Sequence, residues 1–508
     1  MPTGPPTSPI TVHRTDLRLS ADDRRVIARF FPVGGDDRTI SVIQRVLHMS
    51  DADITNDLGD VLRRFSKRHP DIRATFAQHF GRVAHWLDDP AALSDDRKLL
   101  IGAYFTMEYA IESAALFNPS AVPHPDQAGL ADGEVRLLMS LRATGEGHVS
   151  SIVFRTAVAD ATGNVRLDEQ SAHVAPMKVH ADRFYDKQLF FLKLIEMAAY
   201  NEHARAVLDE LPDRFAYPQL DRLVGELRHR EGLGGEEFDR AADRMRWLAR
   251  SNYELIIPHT SDPADLVIFP TSENESRGIE DARLTRFVDD DGAVTYYGTY
   301  TAYNGHTILP QMFETTDFDT IRVHTLNGRY VQNKGLALFP RRVNGFYMMV
   351  SRLDGENLFL MKSDNPYFWN TAEKLQGPMY PWEFVQIGNC GPPIETPQGW
   401  LLLTHGVGPV RTYCIGAALL DLNNPVRVIG HLEFPLIAPN EDERDGYVPN
   451  VVYSCGAVEH QGNLILPYAV SDSATTLATV KMDELMDALV HSTKACPLPD
   501  RRIAKRAS

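Results

Sequence analysis

Arg283 to Tyr303 reads RLTRFVDDDGAVTYYGTYTAY: an apolar strand, a turn of three Asp and a Gly, then a strand rich in Tyr and Thr. β-Branched and aromatic residues on either side of a Gly turn predict a hairpin. The phrase recurs as ALFPRRVNGFYMMVSR (337–352), PPIETPQGWLLLTHG (392–406) and GAVEHQGNLILPYAVSD (456–472). The four turn glycines are Gly292, Gly345, Gly399 and Gly462. They stand roughly 53–63 residues apart, somewhat more than a standard blade repeat. An earlier stretch, DGEVRLLMSLRATGEGHVSSIVFRTAV (132–158), fits the same plan with Gly145 and Gly147 at the turn. Five such units predict a mainly β chain, a five-bladed β-propeller, in which radial repetition leaves short and protected sheet edges. A β-sandwich competes, but the repeat length favours the blade. A propeller gathers residues from several blades at the mouth of its channel, however far apart they lie in sequence.

Outside the repeats the texture is helical. Around Ser41 to His48, Leu58 to Phe65 and Ile72 to Trp86, apolar residues recur at three- and four-residue spacing. Asp22 and Ser94 are candidate helix starts by their small polar side chains. A second helical stretch, Ala181 to Arg250, interrupts the propeller between its first two blades. The expected organisation is an N-terminal helical extension (1–109), a catalytic propeller (110–490, insertion 181–250) and a C-terminal tail (491–508). The helical regions are assigned to packing or homo-oligomer contacts.

The 508 residues carry a formal charge of −16, which argues against nucleic-acid or acidic-membrane binding. Any anion site must therefore be built locally against the global field. No window approaches the ~20 apolar residues of a membrane span, and the opening MPTGPPTSPITVHRTDLRLS lacks a secretory pattern. Cys390, Cys414, Cys455 and Cys496 form no C-x-x-C pair, and no H-E-x-x-H signature is present. The expectation is a reduced cytoplasmic protein with no metal.

Seven phrases stand in a distinctive order: Gly278-Ile-Glu-Asp-Ala-Arg283, Thr299-Tyr-Thr-Ala-Tyr-Asn-Gly305, Asn333-Lys-Gly-Leu-Ala-Leu-Phe-Pro340, Ser351-Arg352, Gly391-Pro-Pro393, Thr404-His-Gly406 and Pro449-Asn-Val-Val-Tyr-Ser-Cys-Gly-Ala457. Together they resemble glycoside hydrolase family 130, the β-mannoside phosphorylases and their hydrolytic relatives, over most of the chain from Phe117. Two departures bear on sugar specificity: the familiar Glu-Asp-Pro-Arg is Glu-Asp-Ala-Arg here, and Asn304 replaces a common Asp.

Cleaving a glycosidic bond needs an acid for the leaving oxygen and a nucleophile for the anomeric carbon. Water needs a second carboxylate as base, whereas phosphate is already an anion and needs a cationic cradle instead. The resemblance implies that Asp281 is the proton donor, acting through a hydroxyl of the bound mannose. It also implies that Lys334, Arg352 and His405 hold phosphate. Arg offers a planar fork, Lys a mobile point charge and His a donor whose charge adapts. Asp472 matches a sugar-binding Asp. Asn118, Arg142, Glu280, Arg283 and Tyr303 complete the expected substrate subsite, with Arg283 either shaping the loop or orienting the acid.

The implied function is an inverting phosphorylase of β-mannosides or β-manno-oligosaccharides. It releases α-D-mannose 1-phosphate, with inorganic phosphate as co-substrate and no other cofactor. A β-mannosidase on the same fold is the alternative, although the family's hydrolases replace the basic residues that this chain keeps. A non-catalytic glycan-binding propeller is more distant, since pure binding requires neither the acid nor the basic set.

Overall fold

Each repeating phrase lies in an antiparallel sheet of its own in the computed structural model, which describes residues 10–492 except 70, 172, 176, 181–183, 231–233 and 258–261. Cys496, the tail from 493 and the start of the insertion at 181–183 lie outside the described residues. The first sheet is built on Ala115–Pro123, Val135–Thr144 and Ser150–Ala159. The second runs Ile279–Val288, Val294–Tyr303, Ile308–Thr315, Thr320–Thr325 and continues to Tyr253–Ile256 and Lys178–His180. The third holds Ala337–Leu338, Tyr347–Ser351, Leu358–Ser363 and Thr371–Gln376. In the fourth, Gln386–Asn389 and Ile394–Thr396 share Gly399–Val407, followed by Tyr413–Leu420 and Val428–His431. In the fifth, Val452–Tyr453 and Val458–His460 share Asn463–Val470, followed by Ala474–Lys481. No described sheet closes on itself.

Gly292, Gly345 and Gly462 have φ of 85°, 78° and 77°, and a Cβ on any of them would meet no described atom within 4 Å. The left-handed backbone of the turn, not crowding, therefore asks for glycine. Gly145 and Gly147 also stand in a hairpin turn, but between the second and third strands of their sheet. The other four turns join the first strand to the second. In the first sheet that step is the longer 124–134 connection, so the sequence frame was one strand late there.

The hydrophobic core is divided into clusters, and five large ones each straddle two sheets. Val122, Ile152 and Phe154 of the first pack with Leu284, Tyr300 and Phe313 of the second. Phe287 and Met312 meet Leu338 and Met349 of the third. Val350 and Leu360 meet Trp400 and Leu402 of the fourth, and Leu403 and Ile415 meet Val452 and Leu466 of the fifth. Finally Ile465 and Leu477 meet Leu116 and Leu137 of the first. Each shared cluster removes apolar area from water on both sheets at once, worth about 1.5–3 kcal/mol per fully buried large side chain.

The N-terminal helices are Asp36–Leu47, Asp51–Phe65, Ile72–Val83 and Asp95–Tyr104, the last capped by Ser94 as expected. They have their own core around Ile54, Phe76 and Ile101. Asp22 does not start a helix: it lies in the turn before a strand, Val26–Phe30, that pairs with Thr106–Ala110. A larger correction lies further upstream. Val12–Leu19 is a strand that pairs with Ala474–Lys481 and completes the fifth sheet. Its sparse apolar residues, Val12, Leu17 and Leu19, sit half-buried among exposed charges, the pattern of an edge strand. The insertion forms helices Lys187–Glu196, Glu202–Glu210, Tyr217–Leu227 and Glu236–Arg250 around a separate core. No helix among the described residues is long and apolar enough to cross a membrane.

Candidate active site

Two bulges set the geometry. The pairing of Ala115–Pro123 slips between Phe117 and Ser120, and that of Ile279–Val288 slips between Glu280 and Arg283. In each slip stands a non-glycine residue with left-handed backbone, Asn118 (φ 51°) and Asp281 (φ 55°). Strict alternation sends neighbouring side chains to opposite faces of a sheet. A bulge re-aims them, and here adjacent Glu280 and Asp281 both meet Arg142. Backbone in this region costs about 1–3 kcal/mol per residue and persists only where surroundings over-determine it. Arg283 supplies that constraint: Nη1 donates to the Asp281 carbonyl (3.0 Å), Nη2 to the Tyr453 hydroxyl (2.6 Å) and Nε to Asn389 Oδ1 (3.2 Å). Buried at 2% exposure, Arg283 braces the Asp281 backbone from behind.

The Asp281 carboxylate accepts from Asn118 Nδ2 (2.6 Å) and Arg142 Nη1 (3.4 Å). Burial pushes its proton affinity up, but the charges of Arg142, Arg283 and Lys334 and the Asn118 amide together outweigh burial and hold it below the usual carboxylate range. Glu280 takes Arg142 Nη2 (2.9 Å) on one oxygen and Lys334 Nζ (2.5 Å) on the other. Asn118, Arg142, Glu280, Asp281 and Lys334 thus form one charged network drawn from the first two sheets and the approach to the third.

Arg352 follows Tyr347–Ser351, and its Nη1 lies 3.4 Å from His405 Nε2. His405 stands in Gly399–Val407, the second strand of its sheet, paired with Gln386–Asn389. Its ring is stacked on Tyr413 (5.9 Å) and edge-on to Tyr453 (4.9 Å). Burial, then the charges of Arg352 and Arg283, push its pKa well below the ordinary imidazole value. This pocket favours the neutral imidazole.

Asp472 (φ 50°) sits in the turn after Asn463–Val470. Burial and the Asp281 charge raise its pKa to about 6, against the pull of Arg142 and Arg411. Tyr303 stays outside the network: its hydroxyl donates to the Gly305 carbonyl (2.9 Å). Two organising residues went unnamed in the sequence reading. Asn389 joins Arg283, the Gly335 carbonyl (2.6 Å) and, through its own carbonyl, His405 Nδ1 (3.1 Å); Tyr453 anchors Arg283. Tyr453 stands inside a quoted phrase and Asn389 just before another, so position offered a signal that residue type did not.

A family model described as beta-1,4-mannooligosaccharide phosphorylase matches residues 255–491. Beta-1,2-mannobiose phosphorylase of Listeria innocua is 30% identical over 230 residues, 44% of this chain and 63% of that protein. In Thermoanaerobacter sp., 1,2-beta-oligomannan phosphorylase is 30% identical over 42% of this chain and 72% of its own length. A beta-1,2-mannobiose phosphorylase of the same organism is 34% identical over 42% and 69%. The chain belongs to glycoside hydrolase family 130. The alignment spans less than two thirds of the Listeria enzyme. Among solved structures, the complex of that enzyme with beta-1,2-mannobiose has a TM-score of 0.44 and 21% identity, covering 75% of this chain and 93% of the other.

Proposed function

We propose that this chain is an inverting β-mannoside phosphorylase on a five-bladed propeller. The observation that carries the reading is Asp281, fixed by a bulge beside Arg142 and Lys334, with a hydrogen-bonded chain through Arg283, Asn389 and His405 leading to Arg352. The relatives' names supply the substrate class and the co-substrate, a β-linked mannoside and phosphate. The cyclic order of shared cores supports the propeller.

Lys334 is tied to Glu280, and Asp281 is a carboxylate. A phosphate dianion entering beside Arg352 competes with Glu280 for Lys334 and adds negative charge near Asp281. Both effects raise the proton affinity of Asp281, which takes up a proton from solvent and so becomes an acid. Asp281 then gives its proton to a mannose hydroxyl, whose own proton passes to the glycosidic oxygen as the C1–O bond breaks. A phosphate oxygen bonds C1 from the opposite face, giving α-mannose 1-phosphate, a shortened acceptor and an Asp281 carboxylate.

Above about pH 6 the ionised Asp472 raises the proton affinity of its neighbour Asp281. Asp472→Asn removes that negative charge, so Asp281 loses its proton at lower pH. The alkaline limb of the kcat–pH profile is expected to move towards acid in this variant. An unmoved limb means that Asp472 does not act on the acid.

Two carboxyls with proton affinities pushed apart also suit an acid–base pair, and this favours hydrolysis as the second reading. Product analysis separates the two. With β-1,2- and β-1,4-manno-oligosaccharides, mannose 1-phosphate should accumulate only when phosphate is present. Free mannose released equally fast without phosphate makes the chain a mannosidase.

A further inference from the structure

His405 is an acceptor set among donors. Its Nδ1 lies 3.1 Å from the Asn389 carbonyl, which only accepts, so the ring proton sits on Nδ1. The ring is 3% exposed, lies between Tyr413 and Tyr453, and faces the Arg352 guanidinium. A second proton would be buried beside a fixed positive charge, so Nε2 keeps a bare lone pair. Arg352 Nη1 reaches that lone pair at a long 3.4 Å. The Nε of Arg352 is itself buried, with no hydrogen-bond partner among the described residues. The corner therefore offers an anion one unclaimed donor and, next to it, one weakly engaged acceptor.

We propose, building on the phosphorylase reading, that this corner takes its anion in a protonated form: hydrogen phosphate donates its own O–H to His405 Nε2 while its bare oxygens face Arg352 and Lys334. Sulfate has the same shape and charge but no proton at neutral pH. It sets an oxygen lone pair against the His405 lone pair and gains nothing there. A cradle of cations alone does not tell the two dianions apart, whereas a neutral His405 does. The same contact orients phosphate, because its protonated oxygen is held at His405 and an unprotonated one is left to attack.

The test titrates the wild-type protein by calorimetry with inorganic phosphate and with sulfate, at neutral pH and constant ionic strength. Sulfate is also used as a competitor in mannoside cleavage. Phosphate should bind roughly 10–100-fold more tightly, the range for one hydrogen bond to a charged group. The ³¹P shift of bound phosphate should report a retained proton. His405→Gln, whose amide offers a donor as readily as an acceptor, should bring the two affinities together. The wild-type comparison stands whether or not that variant folds. Equal affinity for sulfate and phosphate, with phosphate still driving release of mannose 1-phosphate, overturns the inference and leaves the phosphorylase reading standing. If phosphate neither binds nor supports cleavage, both fall.

Discussion

Asp281→Asn is expected to lower kcat by about 10²–10⁴-fold on unactivated mannosides, the usual range for removing general acid catalysis. The substitution keeps the shape of the side chain and its place in the bulge, but an amide has no proton to deliver. Substrates with a good leaving group need little protonation and should lose much less. Steady-state kinetics on a manno-oligosaccharide and on an aryl mannoside make the comparison. Equal losses on the two would mean that Asp281 holds the site together without acting as the acid. The variant also removes a negative charge from beside Arg142, so its stability should be checked by thermal melting before the kinetics are read.

Arg352→Ala is expected to raise the KM for phosphate by roughly ten- to a hundredfold, the loss of about 1.5–3 kcal/mol in charge-assisted contact. The KM for the oligosaccharide should change far less, because Asn118, Arg142, Glu280 and Asp281 bond one another directly and Arg352 is linked to them only through His405, Asn389 and Arg283. Arg352→Lys should restore part of the loss, since a point charge returns but the planar fork does not. Initial rates with each substrate varied in turn separate the two constants. A parallel rise in both would place Arg352 in the general architecture of the site instead of at the phosphate.

The hairpins were legible in the sequence because their cause is local. Gly292, Gly345 and Gly462 stand where the turn needs a left-handed residue, and β-branched and aromatic flanks mark the strands. The strand Val12–Leu19 was not legible, because three apolar residues among charges give little periodicity and its partner lies at the other end of the chain. The site divides in the same way. Residue types at quoted positions pointed to Asp281, Glu280, Arg142 and Lys334, which the fold joins in one network. The left-handed backbone at Asn118 and Asp281 belongs to residues that elsewhere adopt ordinary strand geometry. It is imposed by Arg283 and by Ser120, whose hydroxyl accepts from the Leu284 amide (2.9 Å). At His405 the surroundings add what residue type alone does not carry: an isolated imidazole titrates near neutrality, and burial with the charges of Arg352 and Arg283 pushes its pKa well below that.

Val12 pairs with Val480 and Leu19 with Thr475, so this strand is synthesised long before the strand it pairs with. At roughly 5–20 residues per second, about 25–90 s of synthesis separate the two halves of that pairing. Throughout this interval the segment around Val12–Leu19 has no native strand partner, and the fifth sheet is the last to be made. Its exposed charges, a weak signal to a reader of the sequence, suit that wait, since an early strand rich in Arg and Asp resists pairing with other chains. Completing the fifth sheet is in this sense a late event of synthesis that depends on residues made long before.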